Sequence, residues 1–535
     1  MSHASSTAPP LPLVVQVGFS GSRHLIPKDS SWTEKQKASF HTHLDEQLTA
    51  FLKDLPSQLG LSAPDHFLCG ISQIAIGGDA AFTRACAALR IPQRLFLPQH
   101  REEYLRADGS AGPDFSPQEI ATARELLASS HIIQERIVSD APDRENRFHD
   151  AQLELLRVSD VVICLLAPGA PKATDSPNPL ATGTQGLIDL ALKNQRPVAI
   201  LRLTIEDHLP RLDAVWKHEK RFKPPVLPHE LTGVHLPGST TGIPKIATYT
   251  EALLESGSNI ADSKRNLFKY AAVFIIGFHL LATICAVVAL VLYFKDPTDP
   301  TVHLLLYMEL AFLVSGLGVH VYLHISHACK VWAVSRVAAE IARSVQAFAR
   351  HHVYLSHLFQ LPFHRGLRPL LRTLNVLHLR SSSRRDAENW KARRDSYLRT
   401  RLTGADGQIS YYKRTHANAH CGLRAARAVF YLCSGFAFLC TVLKLAHFQP
   451  TEWFGAFAIV LPVLAVGGLS LAAAFDLEAR HNTSEEMLAD LEILENALTV
   501  ASSEREFTRL LLETEARLLG ETANWFSRRS FTGVA

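Results

Sequence analysis

The feature that most restricts this chain is residues 270–294, a run of 25 residues with no Asp, Glu, Lys or Arg. As a helix rising about 1.5 Å per residue it reaches roughly 37 Å, enough to cross the ~30 Å hydrocarbon core of a bilayer with some tilt. A buried helix of a water-soluble protein rarely needs so long an uncharged run. Three more apolar runs follow: 302–325, interrupted by Glu309, then 428–443 and 453–475. Two hairpins of two spans each put both termini on one side.

Charge then orients the hairpins. The turns near 296 and 449 are almost free of Lys and Arg, whereas residues 330–427 hold 19 Lys/Arg against 5 Asp/Glu. By the positive-inside rule the basic segment and both termini are expected in the cytoplasm, and the chain in the inner cell membrane as a multi-pass protein. Residues 1–12 have no apolar signal-peptide core, which agrees. The overall charge of +4 gives no argument for a nucleic-acid partner. Eight cysteines include no CxxC pair and no zinc-like spacing with His, so neither metal nor disulfide is expected, and a reducing compartment suits the thiols.

Before the first span the pattern changes to alternating strands and helices. Strands are expected at 13–19, 67–76, 94–97, 131–138, after Asp160, and finally at 197–203. Helices are expected at 32–55, 80–90, 116–129 (with Ser116 as cap), 144–157 and 183–194. This order predicts a Rossmann-like, doubly wound α/β domain over 13–205. The rest divides into a linker and connecting helix (206–264), hairpin 1 (265–330), a basic cytoplasmic helical segment (331–427), hairpin 2 (428–475) and cytoplasmic helices (476–535). The second span is expected to continue after Lys330 as a stalk, because Val334, Val337, Ile341, Val345 and Phe348 keep helical spacing. The C-terminal part is thus an all-α, four-span domain.

Three glycine-containing loops stand where the α/β domain would bind a ligand. The first, Gly18-Phe19-Ser20-Gly21-Ser22-Arg23, and the second, Gly77-Gly78-Asp79, directly follow strands; the third is Gly183-Thr184-Gln185-Gly186. At the carboxyl ends of parallel strands such loops converge, helix N-termini present N–H groups to phosphate, and glycine allows close approach. Arg23 can add a charge-assisted contact. A single such loop is better read as a tight turn, with Asp79 and Thr184 as helix caps. Three in one domain point to a nucleotide-like ligand.

The ordered set VGFSGSRHL, IAIGGDAAFTRACAAL, FLPQHREEYL, RVSDVVICLLAP and GTQGLIDLA resembles the SLOG superfamily over residues 13–205. The resemblance implies a Rossmann-like sheet that binds nucleotides or nucleotide-derived signals. The hydrolases of that superfamily carry PGGxGTxxE with a catalytic Glu. Here Pro179, Gly183 and Thr184 match, Leu180-Ala181 replaces the paired glycines, and Leu187 stands at the Glu position. The expectation is therefore binding without catalysis, and no cofactor.

Two later stretches, KVWAVSRVAAEIARS and DSYLRTRLTGADGQISYYKR, resemble the SLATT family of two-span effector domains, most closely over about 385–530. They supply Trp332, Arg336, Glu340, Arg343, Tyr397, Arg401, Gln408, Tyr411 and Tyr412, with Trp332, Arg336, Glu340, Arg343, Tyr411 and Tyr412 as candidates for an oligomer or coupling surface. The same charges also read as a solvated, salt-bridged stalk or as a lipid-attracting basic segment. Within the spans, Glu309, His279 and His320 are candidate pore residues, and Pro462 a candidate kink. Glu309 lies near the outer end and can equally reach the interface.

The resemblances together imply a ligand-gated membrane effector. Its expected partners are a nucleotide-derived second messenger, a separate enzyme that makes it, membrane lipid and further copies of the chain. Its expected action is membrane permeabilisation in antiviral defence by abortive infection. Two alternatives stand open: a membrane-anchored nucleotide- or NAD-processing enzyme, and a scaffold with an inert Rossmann domain.

Overall fold

The computed structural model describes residues 10–27, 31–62, 64–73, 77–105, 117–168, 183–237, 242–351, 353, 355, 365–382, 389–448 and 450–532. They form two compact units. One is Met1–Tyr249 with His364–Arg385, and the other is Thr250–Phe363 with Asp386–Ala535.

The first unit is built on a seven-stranded sheet. Its strands are β1 (Leu13–Gly21), β2 (His66–Ser72), β3 (Gln93–Leu97), β4 (Ile132–Ile137), β5 (Val161–Leu166), β6 (Val198–Glu206) and β7 (Leu209–Lys217), in the order β4-β3-β2-β1-β5-β6-β7. All neighbours are parallel except β6 and β7. Helices α1 (Glu34–Gln58), α2 (Gly78–Ala88), α3 (Arg101–Tyr104), α4 (Pro117–Leu127), α5 (Arg144–Val158) and α6 (Gly183–Lys193) connect the strands up to β6. Both faces of the sheet are buried, so the central strands read as continuous apolar runs. Val161, Ile163 and Leu165 of β5 join one core with Val15, Val17 and Phe19 of β1 and Phe40, Leu44 and Phe82 from α1 and α2. The intervening Val162 and Cys164 join the other, with Leu155, Leu187 and Ile188 of α5 and α6. The chain runs outward from β1 to β4 and then returns to β5 beside β1. That reversal puts the switch-point crevice at the carboxyl ends of β1 and β5.

A helix distant in sequence completes this sheet. β5 pairs with β1 only from Val17 onward. The earlier N–H groups of β1 on that side, those of Val14 and Gln16, need other acceptors if they are buried. Gln16 donates to Asp160 Oδ2 at 2.9 Å, and Val14 donates to the hydroxyl of Thr373 at 2.9 Å. Thr373 belongs to α10 (Arg368–Ser382), and its neighbour Arg372 binds Asp160 Oδ1 at 2.8 Å. Val376 and Leu379 of α10 pack on Val14, Cys69 and Ile133 of the sheet. The basic stretch 331–427, expected to be one segment, is therefore divided: 364–385 belongs to the first unit. Its leucines are buried, and one of its arginines, Arg372, pairs with Asp160.

β7 is a second correction, because 197–203 was expected to be the last strand and 206–264 a linker. A two-residue turn at Asp207 and His208, both with positive φ, returns the chain as an antiparallel edge strand. Pro210 is tolerated there because an edge strand leaves half its N–H groups without a ladder role. The connecting helix is no separate element either. It is the start of α7 (Ile246–Lys295), 50 residues without a break.

In the second unit, α7 is followed by α8 (Pro300–Ile325), α9 (Ala328–His351), α11 (Trp390–Tyr397), a π-helical turn at Leu398–Thr403, α12 (Gln408–Leu445), α13 (Thr451–Ala474), α14 (Leu477–Val500) and α15 (Glu504–Thr532). Among the described residues four helices are long and apolar enough to cross a membrane, with their apolar stretches in α7, α8, α12 and α13. Asp299 caps α8 by accepting the Thr301 N–H at 2.8 Å, with Pro300 as the first helical residue. The second span does not run on unbroken as a stalk: α8 ends at Ile325 and α9 begins at Ala328, with His327 between them at φ 46°. Gly467 of α13 packs on Leu280 of α7, and Gly468 on Val429 of α12.

Replacing Thr373 by Val keeps the shape of α10 but removes the acceptor for the Val14 N–H. An orphaned buried donor costs about 1–3 kcal/mol. Hydrogen exchange of the intact protein should show faster exchange at the start of β1 in this variant, with α13 unchanged.

Candidate functional site

Most of the loop residues singled out in the sequence meet at the β1/β5 switch point. Gly21 and Gly78 touch backbone to backbone: a Cβ on Gly78 would lie 2.6 Å from the Gly21 Cα. Gly77, the residue before α2, has φ 66°, and a Cβ there would meet the Arg23 carbonyl at 2.2 Å. Only glycine fits these positions. The Gly78 N–H donates to the Ser22 carbonyl at 3.1 Å, and the Ala167 N–H to the Ser22 hydroxyl at 3.0 Å. The hydroxyls of Ser20 and Thr184 are 3.3 Å apart, which joins the first loop to the N-terminus of α6. Gly183 opens that helix at φ 86°, with its carbonyl accepting from Gln152 at 2.7 Å. Arg23 lies over the Phe148 ring of α5 at 5.9 Å. Gly18 stands apart: it is mid-strand, and a Cβ there would strike Ser159 and Leu155.

Asp79 has a definite local task. It is buried and accepts the Gly21 N–H at 2.8 Å. Burial pushes its carboxyl up from 3.8 to about 8, against the opposing pull of the Gly21 N–H and Arg23. At neutral pH it is mainly a neutral acid tying the first loop to the second. Leu187, at the position where the superfamily hydrolases carry Glu, is fully buried among Ile71, Phe96 and Leu155. Of the third motif, Pro179, Leu180 and Ala181 lie outside the described residues, as does Ser116.

A second constellation lies in the helical unit. Glu515 of α15 has a side chain 0% exposed and takes both guanidinium arms of Arg401 at 2.8 and 3.0 Å. The Tyr397 hydroxyl donates to the same carboxylate at 2.8 Å. Arg336 donates to the Tyr411 hydroxyl at 3.3 Å and stacks on Trp525 at 4.4 Å. Trp332 meets Trp525 edge-on at 5.2 Å, Glu340 pairs with Arg343, and Tyr412 donates to Glu521 at 3.4 Å. Burial opposes the charge of Glu340, but Arg343, Arg401 and Arg336 outweigh it and hold its carboxyl below the ordinary range. The six residues expected at an oligomer or coupling surface thus contact one another or α15 within one chain. Sequence reasoning missed Glu521 and Trp525, which meet Tyr412, Arg336 and Trp332, and Glu515, which holds Tyr397 and Arg401. The signal was there in α15, where Glu515, Leu518, Leu519, Thr522 and Trp525 fall on one buried face.

In the spans, His279 lies beside Gly316 of α8, one turn before His320, and His320 itself is exposed. Glu309 is half-buried, and α13 continues as helix through Pro462. Among the described residues no group of His, Cys, Asp and Glu is arranged to hold a metal.

The chain is thus a Rossmann-like α/β unit joined to helices apolar and long enough to span a membrane. Residues 397–525 match the family model described as "SMODS and SLOG-associating 2TM effector domain 1". This C-terminal region carries a SLATT domain, and the N-terminal sheet with the other apolar helices fits a SLOG-like fusion. The match begins at Tyr397 and ends at Trp525, two members of the buried network. No curated protein and no solved structure matches the chain.

The raised Asp79 carboxyl makes a signed prediction. Its folded value lies above its unfolded one, so its stabilisation is complete below 3.8 and is lost as pH rises through about 8. Protection of the β1–α2 junction in hydrogen exchange should therefore fall over that range. Asp79→Asn keeps the acceptor and cannot ionise, so its protection should stay level.

Proposed function

We propose that this chain is a ligand-gated membrane effector of a conflict system. In this reading the crevice at β1 and β5 takes a nucleotide-derived messenger made by a separate enzyme, and the spans of several copies permeabilise the cell membrane in antiviral defence. The observation that carries it is the pairing, in one chain, of a switch-point crevice with a SLATT domain, a membrane-associated effector of such systems. Ser20, Ser22, Thr184 and the N-terminal amides of α2 and α6 suit phosphate, with Arg23 as the cationic contact. Binding without turnover is favoured because Leu187, buried in the core, leaves no carboxylate at the superfamily's catalytic position. In this reading both termini lie in the cytoplasm, since the loop between α7 and α8 carries Asp296 and Asp299 while residues 330–427 hold 19 Lys/Arg against 5 Asp/Glu.

Coupling follows from the chain path. The first unit is joined to the second at three points, 249/250, 363/364 and 385/386, and the last two flank the segment that holds α10. A ligand that shifts β1 or β5 acts on α10 through Thr373 and Asp160. It thereby acts on the chain leading from α9 and into α11. For the ligand to open the membrane it must bind the open state more tightly than the closed one.

The test is a screen of the purified full-length protein against nucleotides and cyclic dinucleotides, read by thermal shift and by mass spectrometry of the products. One nucleotide class should stabilise the protein without being consumed, and Arg23→Ala should weaken it about tenfold or more, as loss of a charge-assisted bond does. A nucleotide that is hydrolysed would instead make the chain an enzyme. No stabilising nucleotide at all would leave the scaffold reading.

A further inference from the structure

Three imidazoles gather at the foot of the second pair of spans. His416 and His420 stand one turn apart on α12, and His481 reaches them from α14. The His481 ring centroid lies 4.4 Å from that of His416 and 5.3 Å from that of His420, and the two α12 rings are 6.3 Å apart. The ring planes agree within 27°, so the imidazoles stack instead of converging on a point. The stack is one of three successive ties between the helices. Leu477 packs on Gly422, and Lys413 pairs with Glu492 at 3.4 Å. The ties run in opposite order along the two chains, so α14 lies antiparallel along the part of α12 that precedes the span. His420 stands about 12 Å before the uncharged run that begins at 428.

The surroundings favour neutral rings. The Nδ1 atoms of His416 and His481 are buried with no hydrogen-bond partner. A neutral ring can leave that nitrogen as a lone pair, whereas a protonated ring would bury a charged N–H there without an acceptor. Arg424 foremost, then burial, then His481, His416 and Arg427 hold the His420 imidazole below its ordinary 6.5. The elements packed around the stack bring no compensating carboxylate to it. On α14 the charged residues nearest His481 in sequence are Glu478, Arg480 and Glu485, and Arg480 acts on Lys269 of α7. The π-helical turn carries Arg399 and Arg401, of which Arg401 is taken by Glu515. α15 brings Glu521 and Arg528 beside Thr483 and Glu486. α13 carries Glu452 alone, in its first turn, and Asp476 follows its end. Among the described residues no carboxylate forms an ion pair with any of the three histidines.

We propose that the His416–His420–His481 stack is a proton-operated latch, which holds α14 along α12 while the rings are neutral and releases it when the surrounding water acidifies. Imidazole is the side chain whose ordinary titration lies nearest physiological pH. Two protonated rings at 4.4 or 5.3 Å repel, and Arg424 and Arg427 add to the repulsion. A histidine held below its ordinary value stabilises the fold above 6.5, and that contribution is lost as pH falls through the lowered value. Because α14 follows α13 directly, its release loosens the foot of the hairpin. That the water is cytoplasmic rests on the topology proposed above; the latch itself does not, and it is independent of the crevice at β1.

The full-length protein in phosphatidylcholine nanodiscs, with EDTA present, is followed by hydrogen exchange from about pH 7.5 to about 5.5, a range that brackets imidazole titration, with rates corrected for their intrinsic pH dependence. Protection in peptides covering 412–425 and 477–488 should fall about tenfold or more on acidification, the scale of one like-charge pair at this spacing, while α9 keeps its protection. His481→Phe retains a stacking ring that takes no proton, so its protection at the lower pH should stay close to that at the higher. His481→Arg carries a permanent charge and should exchange fast in both peptides already at the higher pH. Wild-type protection that stays level, a fall of the same size in His481→Phe, full protection in His481→Arg, or a fall shared equally by α9 would overturn the proposal.

Discussion

The sheet of the first unit depends on how a shortage of hydrogen-bond partners at the start of β1 is met. β5 begins at Val161 and pairs with β1 from Val17 onward, which leaves Val14 and Gln16 facing a gap in the sheet. A buried N–H without an acceptor is costly enough that folded chains almost never leave one. Asp160 closes half of the gap and Thr373 the other half, and Arg372 then compensates the Asp160 charge. Burial pushes the Asp160 carboxyl up, while Arg372 and the Gln16 amide pull it down. Completing the sheet thus requires a helix that lies, in sequence, between the two pairs of spans. In the proposed mechanism this is why the sensor cannot shift its central strands without acting on chain that leads to the membrane helices.

The helical unit has its own fixed point in Glu515. A fully buried carboxylate is tolerated only when nearly all of its acceptor capacity is used, and here Arg401 and Tyr397 use it. Removing one partner from such a pair costs about 3–5 kcal/mol, because the remaining charge stays buried. That cost measures the uncompensated charge left behind, not the net worth of the pair. Glu515 ties Tyr397 at the end of α11 and Arg401 in the π-helical turn to α15. Arg336, Tyr411 and Trp525 extend the same arrangement toward the spans. The C-terminal helix is consequently part of the core of this unit, with Phe507, Leu511, Leu519 and Trp525 buried.

The parts of the fold governed by local pattern were legible. Uncharged runs gave the four apolar helices, and alternation of strands with helices gave the parallel sheet. The crevice was legible because glycine, a residue with few other reasons to recur after strands, marks the close contacts at 21, 77 and 78. What escaped depends on distant partners. β7 was hidden because Pro210 and the charged Arg211 and Asp213 read as loop, and only pairing with β6 makes them a strand. α10 was hidden because its arginines resemble those of the neighbouring cytoplasmic stretch, and only Asp160 distinguishes Arg372 from them. Asp79 was read as a helix cap or phosphate-site residue. The structure places it as a buried tie to the Gly21 N–H, a role that depends on two loops meeting.

The central claim, that the sheet communicates with the spans through α10, has a direct test in membrane potential. Cells expressing the protein are supplied with the nucleotide that stabilises it, and potential is followed with a fluorescent dye. Wild type should depolarise, whereas Arg372→Ala should bind the nucleotide with unchanged affinity yet leave the potential intact, because Asp160 no longer holds α10. Depolarisation by Arg372→Ala equal to that of wild type would contradict the account.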